Sequence, residues 1–309
     1  MKQKKQSIIV LLLCLLFLFP FPTVMAKADM GPKPSVRIAF ENVPAELCYG
    51  TLLSKSPSTG PASAWDGKEE NGLHSKNDEY YLDYDIWKAF VEYKDSDGYY
   101  FLQNSFEVSK TGNLNWTYYP PSPFKILLYY PQKNIFVVSD IYERYAFDSY
   151  YTVDLGDLHI ESLETNVAPV LLSERLVAEY SYDYTHENIA FLVRVLITVA
   201  LELAIALLFG LREKKQLLYF GIVNTFTQVV LNFLLNVVNY ASGRFALIAN
   251  YFLLETIVFA VEGVLYALFA NKFAQKQRKK SRYVVYAFVA NVSSFVFGMV
   301  MALAVPWFF

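Results

Sequence analysis

The sequence predicts a multi-domain α+β membrane protein, in which an extracytoplasmic Ig-like β-sandwich with one inserted helix precedes a four-helix transmembrane bundle. Two observations predict this fold class. Short aromatic and β-branched runs recur between turn residues in the first half of the chain, which is typical of a sandwich. Four long apolar stretches fill the last third, and each is long enough to cross a bilayer.

Charge is divided unevenly between the two halves of the chain. Residues 29–188 carry 25 acidic and 12 basic side chains, a net charge of −13, whereas residues 189–309 carry 4 and 11, a net charge of +7. Binding to nucleic acid requires a basic surface, so the acidic half argues against nucleic acid as a partner. The basic side chains of the second half lie mainly in loops between apolar stretches, where they set membrane orientation.

Residues 1–28 are predicted to be a signal peptide. Lysines form its basic start, its apolar core runs over residues 8–19, and an A-K-A cleavage site precedes Asp29. An uncleaved anchor is the alternative, although the apolar run is short for crossing a membrane. The leader therefore predicts export of the domain that follows it.

The exported domain is predicted to span residues 29–160, and residues 161–188 connect it to the membrane. Alternating apolar and polar residues predict a first strand over 35–40, in which Val36 and Ile38 share one face. Further strands are predicted from similar short runs bounded by turn residues. They cover residues 49–54, 99–103, 115–119, 124–130, 135–139 and 150–155.

One helix is predicted to interrupt these strands. Asp83 or Asp85 is placed to cap it, and its apolar residues recur at helical spacing. That apolar face consists of Ile86, Ala89, Phe90 and Tyr93. The following segment, residues 95–98, alternates oxygen-bearing side chains as a calcium loop does, but it lacks the remaining EF-hand ligands. We therefore predict a plain turn and no metal site there.

The sequence predicts no catalytic site. Cys48 is the single cysteine outside the leader, which excludes an internal disulfide and favours a buried apolar role for its side chain. His74, His159 and His186 lie far apart in the chain and lack the spacing of metal ligands. We therefore expect a protein that is not an enzyme and that has no catalytic residue, metal or cofactor.

The four apolar stretches are predicted to be transmembrane helices at residues 189–210, 217–239, 246–270 and 283–306. Loop 211–216 holds three basic residues and loop 271–282 holds six, whereas loop 240–245 holds Arg244 alone. The positive-inside rule places the first two loops in the cytoplasm. The expected localisation is thus the cell membrane, multi-pass, with the N-terminal domain and the C-terminus outside, in agreement with the leader.

Polar side chains interrupt these apolar stretches. Four of them recur every fourth residue along the second stretch and so form one helix face: Asn224, Gln228, Asn232 and Asn236. At a rise of about 1.5 Å per residue, side chains from all four stretches fall at matching depths and are expected to meet in the bundle core. The predicted intramembrane network consists of Arg194, Glu202, Asn224, Gln228, Asn232, Glu255, Glu262 and Asn291.

Two interpretations of this network stay open. Amide and carboxyl side chains can hold helices together in a solvent where hydrophobicity cannot, which is a structural role. Carboxyl groups at membrane depth also mark proton, ion or substrate sites, because burying them is costly. Three carboxyl groups are more than a structural role requires, yet four helices make a thin scaffold for a transport path.

Several motifs resemble those of one family. Residues 29–35 read D-M-G-P-K-P-S, residues 52–61 read L-L-S-K-S-P-S-T-G-P, and residues 142–151 read Y-E-R-Y-A-F-D-S-Y-Y. The apolar stretches contain T-V-A-L-E-L-A-I-A-L-L-F-G, N-T-F-T-Q-V-V-L-N and E-T-I-V-F-A-V-E-G-V-L-Y. The chain thus resembles a family of uncharacterised membrane proteins from Gram-positive, clostridia-like bacteria over nearly its whole mature length. The resemblance implies a single-membrane envelope, hence a domain facing the cell exterior, and it implies no activity.

The function expected from these observations is non-enzymatic. We expect a surface binding or sensing module, or a part of envelope assembly, which sits in the lipid bilayer and meets an extracellular ligand or protein partner. The alternative is a small transporter or channel component in which Glu202, Glu255 and Glu262 carry protons or cations. The ligand and self-association into a homo-oligomer stay open at this point.

Overall fold

A computed structural model describes residues 31–74 and 82–305 of the chain. The chain divides into two compact units, one formed by Pro32–Tyr182 and the other beginning at Asp183. The first unit is rich in β-sheet and the second is helical, which confirms the predicted mixture of strands and helices. The predicted signal peptide, residues 1–28, lies outside the described residues, as does the last residue of the predicted fourth span.

Two main sheets form the first unit. Its strands are β1 (Ser35–Glu41), β2 (Tyr49–Ser54), β3 (Ser58–Thr59), β4 (Ala62–Ser63), β5 (Tyr100–Phe101), β6 (Phe106–Glu107), β7 (Asn113–Trp116), β8 (Phe124–Tyr130), β9 (Ile135–Val138), β10 (Asp148–Asp154), β11 (Val170–Leu171) and β12 (Ala178–Tyr180). One sheet has the order β12-β10-β1-β7, and the other has the order β11-β9-β8-β2-β5, with β6 also paired to β2. Strand β1 is parallel to β10 and antiparallel to β7. The Ig-like assignment of these sheets stays a prediction.

Strand β8 is buried along its whole length, because both of its faces are covered. Ile126 and Leu128 belong to a core that they share with Val36 and Ile38 of the opposite sheet. The alternate side chains of β8 face a second core, which includes Leu127 and residues of a helix. The unit therefore has a layer of helix on the outer face of its larger sheet.

That helix is α1 (Tyr84–Glu92), and it matches the predicted insertion. Asp83 is its N-cap, and the carboxylate accepts a hydrogen bond of 2.9 Å from the backbone N–H of Asp85. Ile86 and Phe90 are buried against the sheet, as their spacing predicts. The unit also contains the short helix α2 (Val108–Thr111) and 3₁₀ turns at Glu69–Asn71, Gly156–Leu158 and Ile160–Ser162.

Two predicted strands are shorter or shifted, for a backbone reason. The strand predicted at 99–103 is reduced to β5, because Gln103 adopts a φ of 57° in the left-handed region and leaves the sheet. The strand predicted at 115–119 is β7 instead, and Tyr119 likewise has a φ of 47°. The predicted connector, residues 161–188, contains β11, β12 and the start of the first long helix.

The acidic turn after α1 holds a buried lysine. The Nζ of Lys125, on β8, lies 2.8 Å from the nearer carboxylate oxygen of Asp95 and 2.5 Å from Asp97. Lys125 and Asp95 are each 1% exposed, whereas Asp97 is half exposed. The alternating aspartates of this turn therefore bind an ammonium group of the chain itself.

Three helices of the second unit are long and apolar enough to cross a membrane. They are α3 (Tyr184–Leu208), α4 (Lys214–Phe269), which continues into a 3₁₀ turn at Ala270–Phe273, and α5 (Lys280–Ala304). Asp183 caps α3 by accepting a hydrogen bond of 2.9 Å from the backbone N–H of His186.

The predicted loop at 240–245 is a sharper break than expected. Helical residues continue on both sides of Gly243, whose φ of 80° and ψ of 174° belong to a region that glycine alone adopts readily. The two predicted spans at 217–239 and 246–270 therefore correspond to two helical segments, which meet at Gly243 and are together labelled α4. The two parts fold back on each other, since Thr227 contacts Glu262 across the break.

Burial in the helical unit is inverted relative to a water-soluble protein. Leu196, Leu208 and Phe252 are 68%, 84% and 67% exposed, whereas Glu202, Asn224 and Glu262 are completely buried. In water such a distribution would cost free energy on both counts, because apolar surface would be hydrated and carboxyl groups would be desolvated. The distribution is the one that an apolar solvent around the helices favours.

Candidate functional site

The helical unit brings its buried polar side chains together around Glu262. Thr227 donates a hydrogen bond of 2.5 Å to Oε1 of this carboxyl group, and the side-chain amide of Asn291 donates one of 2.7 Å to Oε2. The three side chains come from both parts of α4 and from α5, and all of them are buried. Glu262 thus holds three helical segments at one point.

Glu202, from α3, meets the same face of α5. Ser294 lies 3.1 Å from its Oε1, and the hydroxyl of Tyr286 donates a hydrogen bond of 3.3 Å to its backbone carbonyl. Ser294 follows Asn291 by three residues, so the partners of Glu202 and Glu262 are neighbours on one helix face. We call Glu202, Thr227, Glu262, Asn291 and Ser294 the carboxyl layer.

The other predicted network residues lie on both sides of this layer. Asn224 accepts a hydrogen bond from the hydroxyl of Tyr266, and both side chains are buried. Nε of Arg194 donates a hydrogen bond of 2.8 Å to Asn232, which in turn donates one of 2.9 Å to the carbonyl of Gln228. These contacts join α3 to α4 through amide groups.

Arg194 hydrogen-bonds to amide side chains, whereas Glu255 hydrogen-bonds to a tyrosine hydroxyl. Arg194 also donates a hydrogen bond of 2.6 Å to Asn236. Its guanidinium group therefore donates to two amide side chains on the same face of α4, those of Asn232 and Asn236. Glu255 is 6% exposed, and the hydroxyl of Tyr251 hydrogen-bonds to it. Glu255 therefore shares a helix with Glu262 but has a different hydroxyl partner.

Sequence reasoning did not include the hydroxyl partners of the carboxyl groups. Thr227 follows Asn224 by three residues, and Ser294 follows Asn291 by three residues, so helical spacing was a usable signal. Serine and threonine give a weak signal in a sequence, because their side chains are common in helices and often bond to their own backbone.

Each hydroxyl in the carboxyl layer has a second acceptor. Thr227 is also 3.1 Å from the carbonyl oxygens of Val223 and Asn224, and Ser294 is 3.0 Å from the carbonyl of Asn291. A hydroxyl has one proton to donate and two lone pairs to accept with. It can therefore donate to an ionised carboxylate, or accept from a protonated one while it donates to its backbone carbonyl. The layer can hold a carboxyl group in either protonation state.

Several buried polar atoms of this unit have no hydrogen-bond partner within the described chain. The acceptors are Oε2 of Glu202, Oε2 of Glu255 and Oδ1 of Asn291. The donors are Nδ2 of Asn224 and Nε2 of Gln228. Leaving such atoms unpaired costs about 1–3 kcal/mol each, so their retention calls for an explanation. Among the residues that the structure describes, no three acidic, histidine or cysteine side chains are grouped to hold a metal ion.

The sheet-rich unit contains a cavity of about 550 Å³, a volume typical of small-molecule sites. Loops and strand ends that are distant in sequence line it. We call it the domain cavity and define it by Tyr49, Asp83, Gln103, Glu107, Trp116 and Tyr118. Sequence reasoning did not predict this cavity, since none of these residues forms a local motif.

Two carboxylates give the domain cavity its electrostatic character. Glu107 stands opposite Tyr49 in the register of β6 and β2, and Asp83 lies at the start of α1. Burial, then the charge of Glu107, then that of Asp83, raises the pKa of the Tyr49 hydroxyl above its ordinary value. The phenol therefore stays neutral at physiological pH, and the charge of the cavity wall is that of its carboxylates.

Gln103 holds the wall of the domain cavity in place. Its Oε1 accepts hydrogen bonds of 2.9 Å from the indole N–H of Trp87 and 3.0 Å from the backbone N–H of Leu73. Its Nε2 donates to the carbonyl oxygens of Ser63 and Asn71, both at 3.2 Å. One buried amide thus joins α1 to the loop that precedes it.

Replacing Gln103 by Ala is expected to destabilise this unit by about 1–3 kcal/mol, because the buried indole N–H of Trp87 and the partly buried backbone N–H of Leu73 lose their acceptor. Urea unfolding followed by tryptophan fluorescence measures the change. Gln132→Ala, at an exposed position, is the matched control and is expected to shift the midpoint little. Equal midpoints for the two variants would show that the amide does not hold the wall.

No protein-family model matches the sequence, and no curated protein or solved structure is significantly similar to it. The resemblance to uncharacterised membrane proteins of clostridia-like bacteria therefore stays a prediction. The carboxyl layer and the domain cavity are the features of the described chain that bear on function.

Proposed function

We propose that the chain is an exported multi-pass membrane protein whose sheet-rich unit works outside the cytoplasm as a surface binding or sensing module, or in assembly of the envelope. The domain cavity is the observation that carries this proposal, because its volume and its mixture of aromatic and charged walls are those of a ligand site. The inverted burial of the helical unit supports its place in the bilayer.

The proposed membrane part is a four-helix bundle with four crossings. Gly243 divides α4 into two parts, and each part is longer than the roughly 20 residues that a crossing requires. The basic residues of loops 211–216 and 271–282 favour a cytoplasmic position for both loops. The break at Gly243 and the sheet-rich unit are then on the outer side of the membrane.

Cysteine labelling of intact cells tests this topology. In a Cys48→Ala background, single cysteines replace Ser58, Ala241 or Lys276, which are all exposed. We expect a membrane-impermeant maleimide to label Ser58→Cys and Ala241→Cys in intact cells. Lys276→Cys is expected to react only after the cells are permeabilised. If only Lys276→Cys is labelled in intact cells, the orientation of the protein in the membrane is the reverse of the one proposed.

A second candidate function is that of a small transporter or channel component for protons or cations. Two observations favour it. One buried carboxyl oxygen of Glu202 and one of Glu255 have no partner in the described chain, and each hydroxyl of the carboxyl layer has at least two acceptors. A purely structural network gains most when every polar atom is paired. Unpaired atoms beside exchangeable protons are what a proton or cation site requires.

A further inference from the structure

We propose that the domain cavity binds a small organic cation, namely a primary ammonium group carried on an apolar or aromatic body. The inference rests on the proposed function of the sheet-rich unit as a binding module, and it names the chemical class of the ligand. Three features of the cavity carry it: the charge of its walls, its aromatic surfaces and its size.

The charged side chains among the described residues of the cavity wall are all acidic. Asp83 and Glu107 line the cavity, and no lysine, arginine or histidine is among the described residues that line it. The carboxylate of Glu107 has no hydrogen-bond or ion-pair partner within the described parts of the chain. Asp83 uses one oxygen to cap α1, which leaves the other for a ligand. A cation is the ligand that gains from both carboxylates.

Aromatic side chains provide the second feature. Trp116, Tyr118 and Tyr49 line the same cavity. Trp116 is 2% exposed, and its indole N–H donates a hydrogen bond of 3.0 Å to the carbonyl of Tyr118. Tyr49, which is half-buried, and Tyr118, which is exposed, therefore provide the ring surfaces that a ligand can reach. Ammonium groups bind beside such rings by cation–π attraction, and an apolar body packs against them.

Size and donor set exclude simpler occupants. A cavity of about 550 Å³ is far larger than a bare ammonium or metal ion, so a ligand body must fill the remainder. A metal ion would fill only a small part of this volume, and the described residues form no cluster of three acidic, histidine or cysteine side chains. A neutral sugar would leave both charges uncompensated, and an anion would be repelled by them.

Three probes with one body and different head groups test the charge preference. Phenethylamine, 2-phenylethanol and phenylacetate are titrated by calorimetry into the full chain in lipid nanodiscs. We expect phenethylamine to bind, 2-phenylethanol to bind at least about tenfold more weakly, and phenylacetate to give no binding heat. Salt is expected to weaken only the binding of the amine.

Two substitutions and a control assign the binding to the cavity. Glu107→Gln removes one charge, and Asp83→Asn removes the other while it keeps a residue that caps α1. Each is expected to lower the affinity for phenethylamine about tenfold. Glu179→Gln removes an exposed carboxylate of β12, outside the cavity, and is expected to leave the affinity unchanged.

Two sets of results would overturn the inference, and they differ in meaning. Binding of the alcohol or the acid as tightly as the amine would show that the ligand is not a cation, and the binding role of the cavity would survive. Equal amine affinities for Glu107→Gln, Asp83→Asn and Glu179→Gln would show that the amine does not bind at Asp83 and Glu107, so the domain cavity would not be its site. If no probe binds to the folded protein, the cavity loses its proposed binding function as well.

Discussion

Replacing Lys125 by Met is expected to lower the free energy of unfolding of the sheet-rich unit by about 3–5 kcal/mol. The substitution keeps the apolar length of the side chain but removes the ammonium group that contacts Asp95 and Asp97. Asp95 would then remain buried, at 1% exposure, without the cation that neutralises it. An uncompensated buried charge is among the largest destabilising effects of a single substitution.

Tryptophan fluorescence during urea unfolding measures this effect, since Trp65, Trp87 and Trp116 lie in the sheet-rich unit. Lys88→Met is the matched control, because its ion pair with Glu92 is exposed and spans one helical turn. Such a pair contributes about 0.5 kcal/mol or less. The double variant Lys125→Met with Asp95→Asn is expected to recover part of the loss. Similar losses in Lys125→Met and Lys88→Met would contradict the importance of the buried pair.

The contacts of Lys125 with the aspartates of the turn make the free energy of unfolding depend on pH. The hydrogen bond and charge of Lys125 lower the pKa of Asp97 below its ordinary value. A lowered carboxyl pKa stabilises the fold above the unfolded pKa of about 4, and the contribution is lost as the pH falls through the folded pKa. Burial lowers the pKa of Lys125, but the hydrogen bonds and the negative charges of Asp95 and Asp97 together outweigh burial and raise the pKa. The lysine contribution is therefore present below the unfolded pKa of about 10.5 and is lost at higher pH. We expect the difference between wild type and Lys125→Met to narrow below about pH 4.

Replacing Glu262 by Gln is the substitution that separates a transport site from a structural network. If the second candidate function holds, we expect the flux of protons or cations into proteoliposomes to fall at least about tenfold while the helical unit stays assembled. Gln keeps an acceptor for Thr227, and Asn291 can rotate its amide to accept from the new NH₂ group. The carboxyl proton, however, is lost.

Two further variants complete this experiment. Glu213→Gln is the control, because Glu213 is outside the carboxyl layer and accepts hydrogen bonds from the backbone N–H groups of Gln275 and Lys276. Glu262→Leu removes both acceptors, and we expect it to destabilise the unit by about 1–3 kcal/mol through the amide of Asn291. Failure of Glu262→Gln to assemble, with no flux in the wild type, would assign the layer a structural role.

Short apolar runs bounded by turn residues predict much of the sheet-rich unit. Strands β2 and β8 begin and end where the apolar runs predict, and Asp83 caps α1 as its position indicates. Strand pairing and backbone conformation were beyond such reasoning. Gln103 combines a left-handed φ with four side-chain hydrogen bonds, one buried and three partly buried, whose partners are distant in sequence.

In both units the sequence predicts where a buried charged side chain lies but not which residue is its partner. Alternation along β8 places Lys125 on one face of a strand but does not reveal that Asp95 neutralises it there. In the helices, apolar composition and spacing predict a set of polar side chains in the interior, and these side chains are buried in the helical unit. Composition and spacing did not predict that Thr227 and Ser294 would be the partners of the carboxyl groups.

The amino-acid sequence by itself determined the division into a sheet-rich unit and an apolar helical unit, because hydrophobic periodicity and length are local properties of the chain. Only the tertiary structure decided which groups meet in the domain cavity and the carboxyl layer, and where α4 breaks. Those contacts join residues tens of positions apart, and hydrogen-bond geometry at a few tenths of an ångström selects among many partners of similar polarity.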